Sequence, residues 1–64
     1  MKNNYIIVKH TDHGALFYNE DCNIFNVKLA TKYTNKRTAA NRMVYAKKYA
    51  SGCDIVGEIV IVKL

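Results

Sequence analysis

Apolar residues are most concentrated in the last ten residues of the chain, where they predict a β-strand with two apolar faces. The run 55–64 is rich in Ile and Val, contains no proline, and is interrupted at only three positions, by Gly, Glu and Lys. β-Branched residues favour strands, and successive side chains of a strand point to opposite faces. The isoleucines of the run therefore occupy one face. The other face carries Val56, Val60, Val62 and Leu64.

This strand predicts a second subunit. A strand that is apolar on both faces is normally covered on both faces. One helix covers only one side of a small sheet, so we expect another copy of the chain to cover the other side. The predicted homodimer interface consists of Val56, Val60, Val62 and Leu64.

The first part of the chain predicts three shorter strands. Residues 5–10, 15–18 and 23–27 are β-branched or aromatic, and polar turn signals at 11–14 and 19–21 separate them. Gly14 can take a positive φ in the first turn. We expect Tyr5 and Lys9 at edge or rim positions of the first strand.

A helix is predicted over residues 36–50. Thr34 or Asn35 can cap its start, and Gly52 ends it. Its apolar stripe is mostly alanine and consists of Ala39, Ala40, Met43, Ala46 and Ala50. The preceding residues 29–33 leave two interpretations open, a loop that plugs the core edge with Leu29 and Tyr33 or a further short strand.

These elements predict a small α+β domain with the order β-β-β-α-β, in which one mixed or antiparallel sheet carries a single helix on one face. Residues 1–64 are too few for more than one domain. A right-handed crossover through the helix would place the last strand beside the first, in a mixed sheet. Gly57 indicates a bulge or a close backbone approach.

The outer side of the predicted helix is the main candidate for a binding surface. Tyr45 and Tyr49 lie one turn apart, with arginine and lysine beside them. Tyr with Arg is enriched at protein-binding hot spots, and the same side chains can contact phosphates and stack on bases. A solvated face, with the rings over Arg and Lys stems, is the alternative. The helix face, as we call this set, consists of Arg37, Asn41, Arg42, Tyr45, Lys48 and Tyr49.

Composition narrows the partners and the compartment. The net charge of +5 favours nucleic acid, a nucleotide or an acidic protein surface. Apolar runs are shorter than the roughly 18 residues of a membrane span, and the first residues do not form a signal peptide. We therefore expect a cytoplasmic protein without a membrane partner, in which Cys22 and Cys53 are free, partly buried thiols.

Candidate chemistry is limited to one turn. His10, Asp12 and His13, with Cys22 from the next turn, could bind a metal ion, but the spacing of zinc-binding pairs is missing. A polar hairpin turn is the alternative. The five carboxylates and three glycines are scattered in the sequence. We therefore predict no enzyme, no catalytic residues, no metal and no cofactor.

The layout from residue 5 to residue 64 resembles small uncharacterised proteins of phages and mobile elements in Gram-positive bacteria. The residues that carry the resemblance are Tyr5, Ile6, Ile7, Val8, Gly14, Phe17, Leu29, Ala30, Tyr33, Thr34, Ala39 and Ala40. The resemblance implies a non-enzymatic accessory protein, and some such proteins inhibit host defence systems. It supplies no site residues.

Three functional hypotheses follow, of which the third is a metal-dependent small enzyme or a metal-stabilised module at the turn from His10 to His13. In the first, a small phage-like protein in the host cytoplasm occludes the surface of a host protein, a defence nuclease being one candidate. In the second, the basic Tyr and Arg side chains of the helix face bind nucleic acid or a nucleotide, cyclic nucleotides included.

Overall fold

A four-stranded sheet and one helix make up the part of the chain that the computed structural model describes, residues 4–64. The elements are β1 (Tyr5–Thr11), β2 (Gly14–Asn19), β3 (Ile24–Asn26), α1 (Lys36–Tyr49) and β4 (Glu58–Lys63). The sheet has the order β3-β2-β1-β4. The α+β class, the order of the elements and the position of the last strand beside the first are confirmed.

The sheet is antiparallel throughout, which is one of the two predicted arrangements, and the mixed sheet that a simple crossover from β3 would give is not formed. The reason lies in residues 31–33, which we call the wedge segment. Tyr33 pairs with Tyr5 in the antiparallel sense, and the Thr31 N–H donates to the Tyr18 carbonyl at 3.0 Å. The chain thus reverses once more between β3 and α1, so the crossover through α1 joins the wedge segment, not β3, to β4, and both of these segments are antiparallel to β1. Tyr33 is buried, as a core plug requires, whereas Leu29 is exposed.

The main core lies between α1 and the sheet. Its buried members are Ile7, Tyr18, Phe25, Tyr33, Ala39, Ala46 and Ala50. Three of them are alanines of the helix, and their small side chains let the helix backbone approach the sheet closely. Asn35 caps the helix, because its Oδ1 accepts from the Arg37 N–H at 2.8 Å. The helix ends at Ala50, two residues before Gly52 with φ 86°.

The loop after the helix spans the width of the sheet. Ser51 pairs with Ile24 on β3, whereas Glu58 pairs with His10 on the far side of β1. Between them, residues 51–57 form what we call the crossing loop. Gly57 must lie close to the β1 backbone, since a Cβ added there would be 2.5 Å from the His10 carbonyl oxygen. The predicted close approach is confirmed, and residues 55–57 belong to this loop instead of the strand.

Lys9 connects β1 to the crossing loop by hydrogen bonds from its side chain. Its side chain is only 1% exposed, so the expectation of a rim position was wrong. The Nζ atom donates to the carbonyl oxygens of Gly52 at 2.8 Å and Cys53 at 3.2 Å, and lies 4.9 Å from the centroid of the Phe25 ring. A buried ammonium is tolerated where hydrogen bonds and a ring face replace water.

The opposite side of the sheet, which we call the open face, is partly covered by the chain itself. Ile6 and Val8 are buried there, and Phe17, Val60 and Val62 are half-buried. Of the other two residues of the predicted dimer interface, Leu64 follows β4 and is 60% exposed. Val56 is 88% exposed but lies in the crossing loop, so it does not continue the row of Val60 and Val62 as the sequence predicted.

Candidate partner-binding face

The helix face is fully presented to solvent. All six of its residues are exposed, while Ala39 and Ala46 on the other side of α1 have no exposed surface. Because the buried alanines of α1 pack directly on the sheet, the outer side of the helix has a fixed position relative to the core. The structure therefore brings the six predicted residues together on one accessible surface.

Tyr45 and Tyr49 form an exposed aromatic pair. Their ring centroids are 5.0 Å apart with 45° between the ring planes, which is a favourable tilted arrangement. Tyr45 is 43% exposed and Tyr49 is 65% exposed. Large exposed side chains that already pack on each other lose little conformational freedom when a partner covers them.

Arg42 is restrained by an ion pair that the sequence did not reveal. Its Nε lies 2.7 Å from Oε1 of Glu20, at the end of the β2 hairpin, and both side chains are more than a third exposed. An exposed pair of this kind contributes little to stability. Its consequence is positional, because the guanidinium is directed toward the β2–β3 side of the helix.

The charge of the helix is entirely positive. Five of the ten Lys and Arg residues lie in α1, and none of the five Asp and Glu residues does. The cations outside the helix equal the carboxylates in number, so the net charge of +5 equals the charge of the helix alone. The composition gives only the total charge of the chain, whereas the structure shows that the excess of cations is concentrated on one element.

Two tyrosines beneath the helix have perturbed acidity. Burial, with a further effect of the Glu20 charge, raises the pKa of Tyr33 well above its ordinary value and also raises the pKa of Tyr18. The Tyr18 hydroxyl donates to Asn23 Oδ1 at 2.7 Å. The Tyr33 hydroxyl is buried without a hydrogen-bond partner among residues 4–64. Both groups stay protonated at neutral pH and serve the core.

The other candidates from the sequence are a polar hairpin turn and two free cysteines. The first turn is closed by Thr11, whose hydroxyl donates to the Gly14 carbonyl at 2.6 Å. Within the described residues, no three His, Cys, Asp or Glu side chains converge into a group that could hold a metal ion. Cys22 and Cys53 are free, as expected, but Cys22 is exposed and only Cys53 is partly buried.

Sequence reasoning missed a pocket on the open face. It is lined by Ile6, Phe17 and Leu64 from the strands, and by Lys28, Leu29, Ala30 and Lys32 from the connection before the helix. The signal in the sequence was the pair of lysines flanking Leu29 and Ala30. This signal is weak, because two lysines in a connecting segment give no sign of which strands they will face in the folded sheet.

No helix in the described part of the chain is long and apolar enough to cross a membrane. Comparison with protein-family models, curated proteins and solved structures found no match to this chain. The resemblance to small phage proteins therefore stays a prediction.

Proposed function

We propose that the protein is a non-enzymatic, phage-like binding protein that occludes an acidic surface of a host protein with its helix face. The observation that carries this proposal is the exposed Tyr45–Tyr49 pair on a helix that holds the whole net charge of the chain. Aromatic rings with flanking Arg and Lys provide contact area and charge complementarity together. A host defence protein, such as a nuclease, is the partner class that fits the resemblance.

The way in which the helix is mounted supports occlusion as the mode of action. Asn35 caps its first turn, and its last residues continue into Ser51, which pairs with β3. Lys9 then fixes the crossing loop. A surface anchored at both ends binds with little ordering cost, as a competitive blocker requires.

The first experiment identifies the partner and then challenges the surface. The tagged protein is incubated with host lysate, captured proteins are identified by mass spectrometry, and the purified partner is titrated by calorimetry. We expect a 1:1 complex whose affinity falls at least tenfold with Arg42→Glu or Tyr45→Ala, because hot-spot truncations have effects of this size. Circular dichroism checks that both variants retain the fold.

Lys28→Glu is the matched control for Arg42→Glu. It reverses the charge of an exposed cation away from the helix, so it reports the general effect of lower net charge. We expect it to change the affinity less than threefold. Normal binding by both helix variants would show that the partner uses another surface.

A nucleic-acid or nucleotide binder is the second candidate function. The five cations of α1 and its tyrosine pair suit phosphate contacts and base stacking. Fluorescence anisotropy with labelled single-stranded DNA, duplex DNA, RNA and a cyclic nucleotide tests it at low salt. Binding through phosphates must weaken steeply as salt is raised, because counterions are released. No change in anisotropy with any of these probes would reject this candidate.

A further inference from the structure

The open face contains a pocket of about 340 Å³ that lies away from the helix face. Its floor consists of Ile6, Phe17 and Leu64, which are side chains of neighbouring parts of the sheet. One wall is formed by residues 28–30 and Lys32. Most of the exposed lining is apolar, and the volume is at the lower end of the roughly 300–1,000 Å³ typical of small-molecule sites.

The wall is held in place by Asn26, the last residue of β3. The Asn26 Oδ1 accepts from the backbone N–H groups of Lys28 at 2.9 Å and Leu29 at 2.7 Å. Its Nδ2 donates to the Leu29 carbonyl at 3.0 Å. Further along, Thr31 is bonded to the Tyr18 backbone. The pocket is therefore a preformed feature with both ends of its wall fixed.

Among residues 4–64, two lysines are the only charged side chains that line the pocket. Lys28 and Lys32 are both exposed, and neither forms an ion pair within residues 4–64. An apolar cavity bordered by two unpaired cations is complementary to a ligand that has an apolar body and one anionic end. Within the described part of the chain, the lining offers no Asp, Glu or Asn side chain for the hydroxyl groups of a sugar.

We propose that this pocket binds a small amphipathic carboxylate of the medium-chain fatty acid type. The acyl chain packs against Ile6, Phe17 and Leu64, and the carboxylate lies between the ammonium groups of Lys28 and Lys32. This site is separate from the helix face, so it does not depend on the function proposed above.

The test is a titration of the isotope-labelled full chain with decanoate, followed by backbone amide NMR below the concentration at which micelles form. We expect saturable shifts at Phe17, at residues 28–32 and at Leu64. Residues of the helix face should not shift. Decanol, which has the same chain without the charge, should bind several-fold more weakly, because each exposed ion pair adds a modest amount to binding.

Paired variants separate the charge effect from the fold. Lys28→Gln with Lys32→Gln should lower the affinity for decanoate several-fold and remove its advantage over decanol. Lys47→Gln with Lys48→Gln removes the same charge from the exposed side of α1 and should leave the affinity unchanged. All four positions are exposed, so the fold should persist, and circular dichroism verifies it.

Three outcomes would overturn the proposal: no saturable shift with decanoate, shifts centred on the helix face, or equal binding of decanol and decanoate. A fourth is tighter binding of a short peptide that ends in a phenylalanine carboxylate, since this would identify a protein C-terminus as the ligand. None of these results bears on binding of a protein partner by Arg42 and Tyr45, so failure of one proposal can be told from failure of the other.

Discussion

At the scale of single residues, Lys9 does a task that its residue type does not suggest. Its ammonium bonds two successive carbonyl oxygens, those of Gly52 and Cys53, from beneath the crossing loop. Hydrogen bonds to a charged group stabilise more than neutral ones, and these two connect β1 to the segment that leads into β4. A lysine between Val8 and His10 gives no sign of this in the sequence, because its acceptors are more than forty residues away.

Lys9→Met tests this role. Methionine keeps the length and the apolar stem but removes the donors. The Cys53 carbonyl then loses its partner, and the Gly52 carbonyl keeps only the Ile55 N–H at 3.1 Å. We expect the free energy of unfolding to fall by about 2 kcal/mol, measured by urea denaturation at pH 7. Lys47→Met, on the exposed side of α1, is the control and should change it by less than about 0.5 kcal/mol. Equal effects of the two substitutions would show that Lys9 does not hold the loop.

Tyr33 and Tyr18 offer a matched pair of buried hydroxyl groups. The Tyr33 hydroxyl has no hydrogen-bond partner among the described residues, whereas that of Tyr18 is bonded to Asn23. Tyr33→Phe should therefore leave the free energy of unfolding unchanged or raise it by up to about 1 kcal/mol, and Tyr18→Phe should lower it by about 1 kcal/mol. Urea denaturation at pH 7 measures both, and a substantial loss in Tyr33→Phe would contradict the assignment.

Tyr33 also makes the free energy of unfolding depend on pH in the alkaline range. Burial raises the pKa of Tyr33 in the folded state, while an unfolded tyrosine ionises near about pH 10. Above that pH the unfolded chain binds fewer protons than the folded one, so the free energy of unfolding falls as pH rises. The contribution of the neutral Tyr33 side chain to the free energy of unfolding is therefore fully present below about pH 10. In Tyr33→Phe the free energy of unfolding should decline less steeply between about pH 9.5 and 11 than in the native protein. Urea denaturation at several pH values across this range measures the difference.

At the scale of elements, sequence patterns predicted the helix and strands that local interactions determine. The alanine stripe and the cap at Asn35 predicted the position of α1 in the chain, and the β-branched runs predicted those of β1 and β4. The strand direction was not predictable in the same way. It depends on the wedge segment, where Tyr33 pairs with Tyr5 across 28 positions, and such a pairing leaves no periodic signal in five mixed residues.

The candidate sites followed the same division. The helix face could be predicted because residues on one side of a helix recur at fixed spacing, and all six are exposed together. The pairing of Arg42 with Glu20 and the pocket beside Lys28 could not be predicted, because each joins segments that become neighbours only in the folded sheet.

At the scale of the whole molecule, the two sides of the sheet differ in kind. The helix side ends in a surface that carries all of the net charge. The open face is apolar, and the chain covers its centre but not its margin. Val56 and Leu64 stay exposed next to the edge strand β4. A domain of this size buries only about 60% of its unfolded surface, so uncovered apolar residues at an edge favour association.

We therefore expect a homodimer in which the second copy covers Val60 and Val62 of β4 and the following Leu64. Sedimentation equilibrium at micromolar concentration should give twice the 7.3 kDa mass of the chain. Val60→Lys should raise the dimer dissociation constant at least tenfold, because it places a charge in an apolar contact. Val44→Lys, at an exposed valine of the helix, adds the same charge elsewhere and should leave the dimer intact. A folded native chain that sediments as a single copy would show that the partial cover from residues 27–32 is sufficient, and that the two-faced pattern of β4 does not require a partner.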